Sequence, residues 1–118
     1  MPDVYMIWEG IPVWIELKVT KSNSIKVSPT QISWHTSHSD SGGLSFILVK
    51  HLGDRSLFLF RGADVRCVAS EGLRSEAIWS GASVPGAVEA VFGAGREYFG
   101  AIFGALDSGP TALPPSHP

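Results

Sequence analysis

The sequence predicts an α/β domain built on a four-stranded mixed sheet, with elements in the order β-β-α-β-β and a C-terminal helix. Three observations lead to this class. Four short β-prone runs bounded by turn residues lie within residues 1–61. A helix start separates the second run from the third. Apolar residues return at helical spacing near the C-terminus.

The first two strands are predicted over residues 4–8 and 12–20, with Glu9-Gly10 as the turn of a hairpin. Side chains alternate between the two faces of a strand, so the second strand separates into two sets. One set is entirely apolar and predicts a core face: Val13, Ile15, Leu17 and Val19. The other set carries the polar chemistry: Trp14, Glu16, Lys18 and Thr20.

A helix is predicted after the polar loop over residues 21–28, and it should end at about Ser39. Ser28 is a favourable N-cap, Pro29 suits the first helical position, and Gln31 completes a capping box. These three residues make this the best-defined helix start in the chain.

Two further strands are predicted over residues 44–50 and 56–60. The first is a near-continuous apolar run, which indicates burial on both faces of the sheet. Beyond residue 61 the patterns weaken. The expected elements there are a short helix over 62–70, a helix or irregular segment over 73–80, and a longer helix over 86–106.

These elements predict a single domain over residues 1–107. Residues 1–61 would form its catalytic core and residues 62–107 a helical extension. Residues 108–118 contain four prolines and predict a disordered tail. The apolar, glycine-rich stretch over residues 88–106 holds more hydrophobic surface than one small sheet covers, which suggests a homodimer.

Composition excludes several classes of protein. The net charge of −2 excludes a strongly basic, histone-like nucleic-acid binder, although local patches matter more than the sum. A single cysteine, Cys67, excludes an intramolecular disulfide and a cysteine-based zinc site. No run approaches the length of a membrane-spanning helix, and acidic residues near the N-terminus disfavour a signal peptide. We therefore expect a soluble protein of the cytoplasm.

The second strand carries the candidate chemistry. The predicted hairpin brings Asp3 close to Glu16, and paired carboxylates suit a hard cation such as Mg²⁺. Lys18 lies on the same face as Glu16, about 7 Å along the strand. Such a set of groups meets the needs of metal-dependent phosphodiester hydrolysis. The alternative interpretation is an exposed ion pair between Glu16 and Lys18.

The ordered set of motifs resembles the PD-(D/E)XK nucleases. Pro2-Asp3 opens the first strand, and Glu16-Leu17-Lys18 follows on the second. The segment from Ile15 to Val19, then a polar loop, then Ser28-Pro29-Thr30-Gln31, is similar to the VRR-NUC branch. Archaeal Holliday-junction resolvases share this core. The resemblance covers residues 1–61 and implies a restriction-endonuclease-like fold.

The resemblance also implies roles by position. Asp3 and Glu16 would bind Mg²⁺ or Mn²⁺, with the backbone carbonyl of Leu17 as a further ligand. Lys18 would be the catalytic lysine. Gln31 matches a glutamine near the active site of many relatives. Some relatives place a tyrosine four residues later, where this chain has His35.

The family core normally opens with a helix before the first of these strands. Here Pro2-Asp3 stands directly after Met1. Three explanations are open: the C-terminal helix replaces that helix, a second subunit supplies it, or the chain is a truncated product of a longer gene.

Several residues keep two interpretations. Lys21, Lys26 and Lys50 are candidates for phosphate contacts, or simply solubilising charges. Gln31 either belongs to the metal site or only caps its helix. Trp8 and Trp14 would either stack on bases or be buried. His35 would lie either over the metal or at the edge of the core. Cys67 is expected in the core.

The sequence therefore predicts a metal-dependent endonuclease that hydrolyses phosphodiester bonds in DNA. Structured or branched DNA is the implied substrate, in repair, recombination or phage replication. One alternative is a non-catalytic DNA- or protein-binding module with the same fold. Another is a small structural protein in which Glu16 and Lys18 form a surface ion pair.

Overall fold

The computed structural model describes residues 2–107, apart from the side chains of residues 8, 99 and 101–107. Within that part of the chain, one mixed sheet holds five strands in the order β1-β2-β3-β4-β5. The strands are β1 Val4–Trp8, β2 Ile11–Thr20, β3 Leu44–His51, β4 Leu57–Arg61 and β5 Trp79–Gly81. The helices are α1 Pro29–Asp40, α2 Val65–Glu71 and α3 Val84–Asp107, with short 3₁₀ turns at 62–64 and 72–74. The predicted α/β class is confirmed, and the predicted tail over 108–118 lies outside the described residues.

The β1–β2 hairpin positions the N-terminal carboxylate. Glu9 and Gly10 have φ values of 46° and 83°, as a tight two-residue hairpin turn requires. The strands are antiparallel with Val4 opposite Ile15, so Asp3 lies opposite Glu16. Because β1 pairs only with the first half of β2, the second half of β2 lies at an open edge of the sheet.

Helix α1 makes the crossover between the parallel strands β2 and β3. Its predicted capping box is confirmed. The Ser28 hydroxyl accepts from the Gln31 backbone N–H, and the Gln31 side chain accepts from the Ser28 backbone N–H. Strand β3 is central and largely buried on both faces, which also confirms its prediction.

Helices cover both faces of the sheet and form two hydrophobic cores. On one face, α3 contributes Val91 and Ala94 to a core with β2, β3 and β4. On the other face, α2 contributes Val65 and Val68 to a core with β3 and β4. The Tyr98 hydroxyl of α3 also donates a hydrogen bond to the Gly42 carbonyl. In the described part of the chain, we find no helix with both the length and the apolar character needed to span a membrane.

The predicted core face of β2 is only half right. Val13 and Ile15 are buried against α3. Leu17 and Val19 continue the same face but are 49% and 67% exposed. Alternation assigns a side chain to a face of the sheet, but burial also requires an element that covers that face. Over the second half of β2 the covering element is missing among the described residues.

Two other expectations are corrected by the structure. The sheet has a fifth strand, because Trp79–Gly81 pairs with β4 within the segment expected to be helical or irregular. Three residues are too short for a strand to reveal itself by alternation. Cys67 is exposed rather than in the core, because Val65 and Val68 form the buried side of α2.

The loop over residues 21–28 is held against the end of α2. The Leu73 backbone N–H donates to the Asn23 carbonyl at 2.7 Å, and Ile25 is buried in the core beneath. Gly72 makes this contact sterically allowed. Its φ is +61°, and a Cβ there would overlap the Asn23 carbonyl oxygen.

We expect Gly72→Ala to cost roughly 3 kcal/mol, since a left-handed φ is combined with overlap against the main chain. Gly10→Ala is the matched control. Gly10 also has a positive φ, but no atom lies within 4 Å of the added Cβ, so its cost should be about 1 kcal/mol. Urea unfolding of both variants measures the difference. Equal losses would show that the contact with Asn23 does not constrain the loop.

Candidate functional site

Asp3 and Glu16 form a carboxyl pair on the face of the sheet that α1 covers. Asp3 is exposed, and its Oδ2 accepts a hydrogen bond of 2.8 Å from the Leu17 backbone N–H. Glu16 is buried, with an exposed fraction of 4%. One carboxyl of the pair therefore faces solvent while the other lies beneath it.

The environment of Glu16 disfavours its ionised form. Burial raises the pKa of the Glu16 carboxyl above its usual value, and Asp3 raises this pKa further by charge repulsion and by a hydrogen bond between the two carboxyls. Lys18 acts in the opposite direction but more weakly than burial or the Asp3 charge. A divalent cation between the carboxyls would favour the ionised form.

Gln31 joins the site to the start of α1. Its Oε1 accepts from the Lys18 ammonium at 2.8 Å and from the Ser28 backbone N–H at 3.0 Å. Its Nε2 donates to Glu16 Oε2 at 3.1 Å. Gln31 therefore caps the helix as predicted and also contacts Lys18 and Glu16, while its part in a metal site stays a prediction. A single amide group satisfies the cap and fixes Lys18 relative to Glu16.

His35 is buried one turn further along α1, on the same face of the sheet. Its Nδ1 lies 2.8 Å from Ser45 Oγ. Its Nε2 lies 3.5 Å from Glu16 Oε1 and makes no hydrogen bond among the described residues. Burial lowers the pKa of His35 to about 4, with smaller contributions from the charges of His38 and Lys18. The imidazole is therefore neutral near pH 7.

Ser45 and Gly62 are parts of this network that the sequence analysis missed. Ser45 is the polar residue in the otherwise apolar first half of β3, and alternation places it on the face of His35. That interruption is the signal that could have found it. Gly62 packs so closely that a Cβ there would overlap Ser45 Oγ and lie 2.9 Å from His35 Nδ1.

The candidate lysines do not all lie together. Lys18 and Lys26 line the same two neighbouring clefts, of about 420 and 670 Å³, beside the second half of β2. Lys21 is exposed in the loop that follows β2. Lys50 pairs with Val19 in the sheet register, so it lies on the opposite face from Lys18. Of Lys21, Lys26 and Lys50, only Lys26 lines these two clefts together with Lys18.

An exposed ion pair between Glu16 and Lys18 is not what the structure shows. Glu16 is buried, and Gln31 bridges the two side chains.

Of the two tryptophans considered for stacking, Trp14 is partly buried beside Tyr5 and Trp34. The side chain of Trp8 lies outside the described residues.

The chemistry of the pair fits a hard cation that keeps part of its water. Within residues 2–107 as described, no three His, Cys, Asp or Glu side chains gather as a metal-binding group. Mg²⁺ is commonly held by one or two carboxylates together with several waters. The N–H and C=O of one strand residue point to the same side, so the Leu17 carbonyl also faces the edge where Asp3 lies. Asp3, Glu16 and that carbonyl therefore lie close together on β1 and β2, and metal binding by them stays a prediction.

Comparison with known proteins found no relative of this chain. No family model matches the chain, and neither a curated protein nor a solved structure matches it. The function of the site therefore has to be inferred from its own residues.

We expect Gln31→Ala to lower the free energy of unfolding by about 2 to 3 kcal/mol, because it removes one hydrogen bond each from the buried Glu16 carboxyl, the Lys18 ammonium and the Ser28 backbone N–H. Ser28→Ala is the control, since it removes the hydroxyl side of the capping box and leaves Gln31 in contact with Glu16. Its cost should be about 1 kcal/mol. Urea unfolding compares the variants. Equal losses would mean that Gln31 acts only as a cap.

Proposed function

We propose that this protein is a metal-dependent nuclease that hydrolyses phosphodiester bonds in DNA. The observation that supports the proposal is the carboxyl pair of Asp3 and Glu16, with the Lys18 ammonium held on the same face by Gln31. Two acidic groups that share a site repel each other, which lowers stability. Their position beside the Lys18 ammonium is therefore better explained by a function than by a contribution to stability.

In this proposal Asp3, Glu16 and the Leu17 carbonyl hold Mg²⁺ or Mn²⁺. When bound, the cation polarises a phosphoryl oxygen and makes a coordinated water more acidic. Among the described residues, His35 and Gln31 contact Glu16 from the α1 side, and the exposed Asp3 lies opposite Glu16 on β1. The carboxyl pair therefore fixes where a scissile phosphate has to lie.

Lys18 stabilises the negative charge that develops on the phosphoryl oxygens and orients the attacking water. Its ammonium can do so because Gln31 Oε1 holds it at a fixed position. Gln31 is a positioning residue here, since its contacts are with Lys18, Glu16 and Ser28. Preorganised charge of this kind needs no rearrangement during the reaction.

DNA would enter along the clefts beside the second half of β2. Lys18 and Lys26 line both clefts, so a phosphate backbone there meets two cations next to the carboxyl pair. Such contacts give affinity that is independent of sequence and falls with salt. Any phosphodiester backbone would make such contacts; DNA, in a structured or branched form, is the substrate that the resemblance to the PD-(D/E)XK nucleases implies.

A second candidate function is a non-catalytic binding module with the same fold. One observation favours it. Asp3 already accepts from the Leu17 N–H, and Glu16 already accepts from Gln31, so both carboxyls have protein partners without any cation. Each ionised carboxylate offers about four acceptor sites, and these bonds therefore do not exhaust the pair.

We expect the protein to cut DNA with Mg²⁺ or Mn²⁺ and not with EDTA. Lys18→Ala should lower the rate by about 10²- to 10⁴-fold, as the loss of a group acting in the transition state does. Labelled single-stranded, duplex, flap and four-way-junction DNA are the substrates, and gel analysis of the products gives the rates.

Arg61→Ala is the charge-matched control. Arg61 is exposed and pairs with Phe46, which places it on the α3 face, away from Lys18. This variant should retain the wild-type rate within about twofold, because long-range effects of one exposed charge are screened. Cutting that persists in Lys18→Ala would contradict the proposed mechanism. The absence of cutting on every substrate, with folded protein, would favour the binding module.

A further inference from the structure

A row of aromatic rings borders the carboxyl pair. Tyr5 packs on Trp14 with ring centroids 4.5 Å apart, and Trp14 meets Trp34 edge-on at 5.8 Å. Trp34 stacks on His38 at 4.6 Å with nearly parallel planes. These rings come from three elements, β1, β2 and α1, and they lie on one face of the sheet.

The row is not simply part of a core. Tyr5 is 49% exposed, and Trp14 and Trp34 are partly exposed. Among the described residues, neither of the two hydrophobic cores includes any of the three. A half-exposed tyrosine that covers a tryptophan on one side leaves ring surface open on the other.

The row is continuous with the proposed site. Trp14, Glu16 and Lys18 follow one another on the same face of β2, each about 7 Å from the next. Tyr5 lies opposite Trp14, next to Asp3 on β1. The carboxyl pair therefore has aromatic rings on one side and the Lys18–Lys26 clefts on the other.

We propose that Tyr5, Trp14 and Trp34 form a stacking surface for the unpaired bases of single-stranded DNA that crosses the carboxyl pair. Aromatic side chains stack on bases of any sequence, while cations follow the phosphates. Paired bases inside a duplex offer no open faces to such rings. This inference rests on the proposed function for the identity of the ligand, and it narrows the substrate to DNA with a single-stranded segment at the site.

Binding of a short labelled oligothymidine, measured by fluorescence anisotropy in EDTA, tests this surface without cleavage. Tyr5→Leu keeps apolar bulk and removes the ring, whereas Tyr5→Phe keeps the ring. We expect Tyr5→Leu to weaken binding by about tenfold and Tyr5→Phe by less than about twofold. An abasic strand of the same length should bind about tenfold more weakly to the wild type and should not distinguish the variants.

Equal affinity of the wild type and Tyr5→Leu, equal affinity for thymidine and abasic strands, or no binding by the wild type would overturn the inference. A further result would also overturn it: Tyr5→Leu changes the sedimentation of the free protein but not its affinity for the oligothymidine. The rings would then be assigned to contact with a second copy of the chain. Cleavage does not enter these measurements. Base-dependent binding by a protein that cuts nothing would remove the proposed nuclease and leave the stacking surface.

Discussion

The buried carboxyl of Glu16 is the group around which the rest of the site is arranged. A carboxyl in the interior needs hydrogen-bond partners, because an unsatisfied polar group there costs free energy. Gln31 supplies one from α1, and the same amide closes the capping box and holds Lys18. The Gln31 side chain of the crossover helix therefore contacts both the hairpin strand β2 and the loop that precedes α1. A change at Gln31 affects the start of a helix and the geometry of the site together.

The site also contains polar groups whose burial costs free energy. Burial raises the pKa of Glu16, and the neighbouring Asp3 carboxyl raises it further. His35 is buried with an Nε2 that lacks a hydrogen-bond partner among the described residues. Local conflicts of this kind concentrate at functional sites and are offset by packing elsewhere. Here the compensation comes from the two cores that helices form on either side of the sheet.

Much of this arrangement could be predicted from the sequence because it depends on local rules. The Glu9-Gly10 turn fixes the hairpin register, and that register alone brings Asp3 to Glu16. Other features depend on long-range packing that a pattern does not contain. Leu17 fits the apolar face of β2 by alternation, yet it is exposed and, among the described residues, lies outside the core that α3 forms with that face. Ser45 meets His35 only through the parallel crossover, which joins residues from different parts of the chain.

The proposed nuclease requires Asp3 and Glu16 to hold a divalent cation together. Anomalous diffraction from crystals of the protein grown with Mn²⁺ tests it most directly. We expect one anomalous peak within about 2.4 Å of oxygens from both carboxylates and the Leu17 carbonyl, in the range of metal–oxygen bonds for hard cations. The same peak should be absent in crystals of Asp3→Asn. Well-ordered crystals with Mn²⁺ elsewhere and none at this pair would contradict the account.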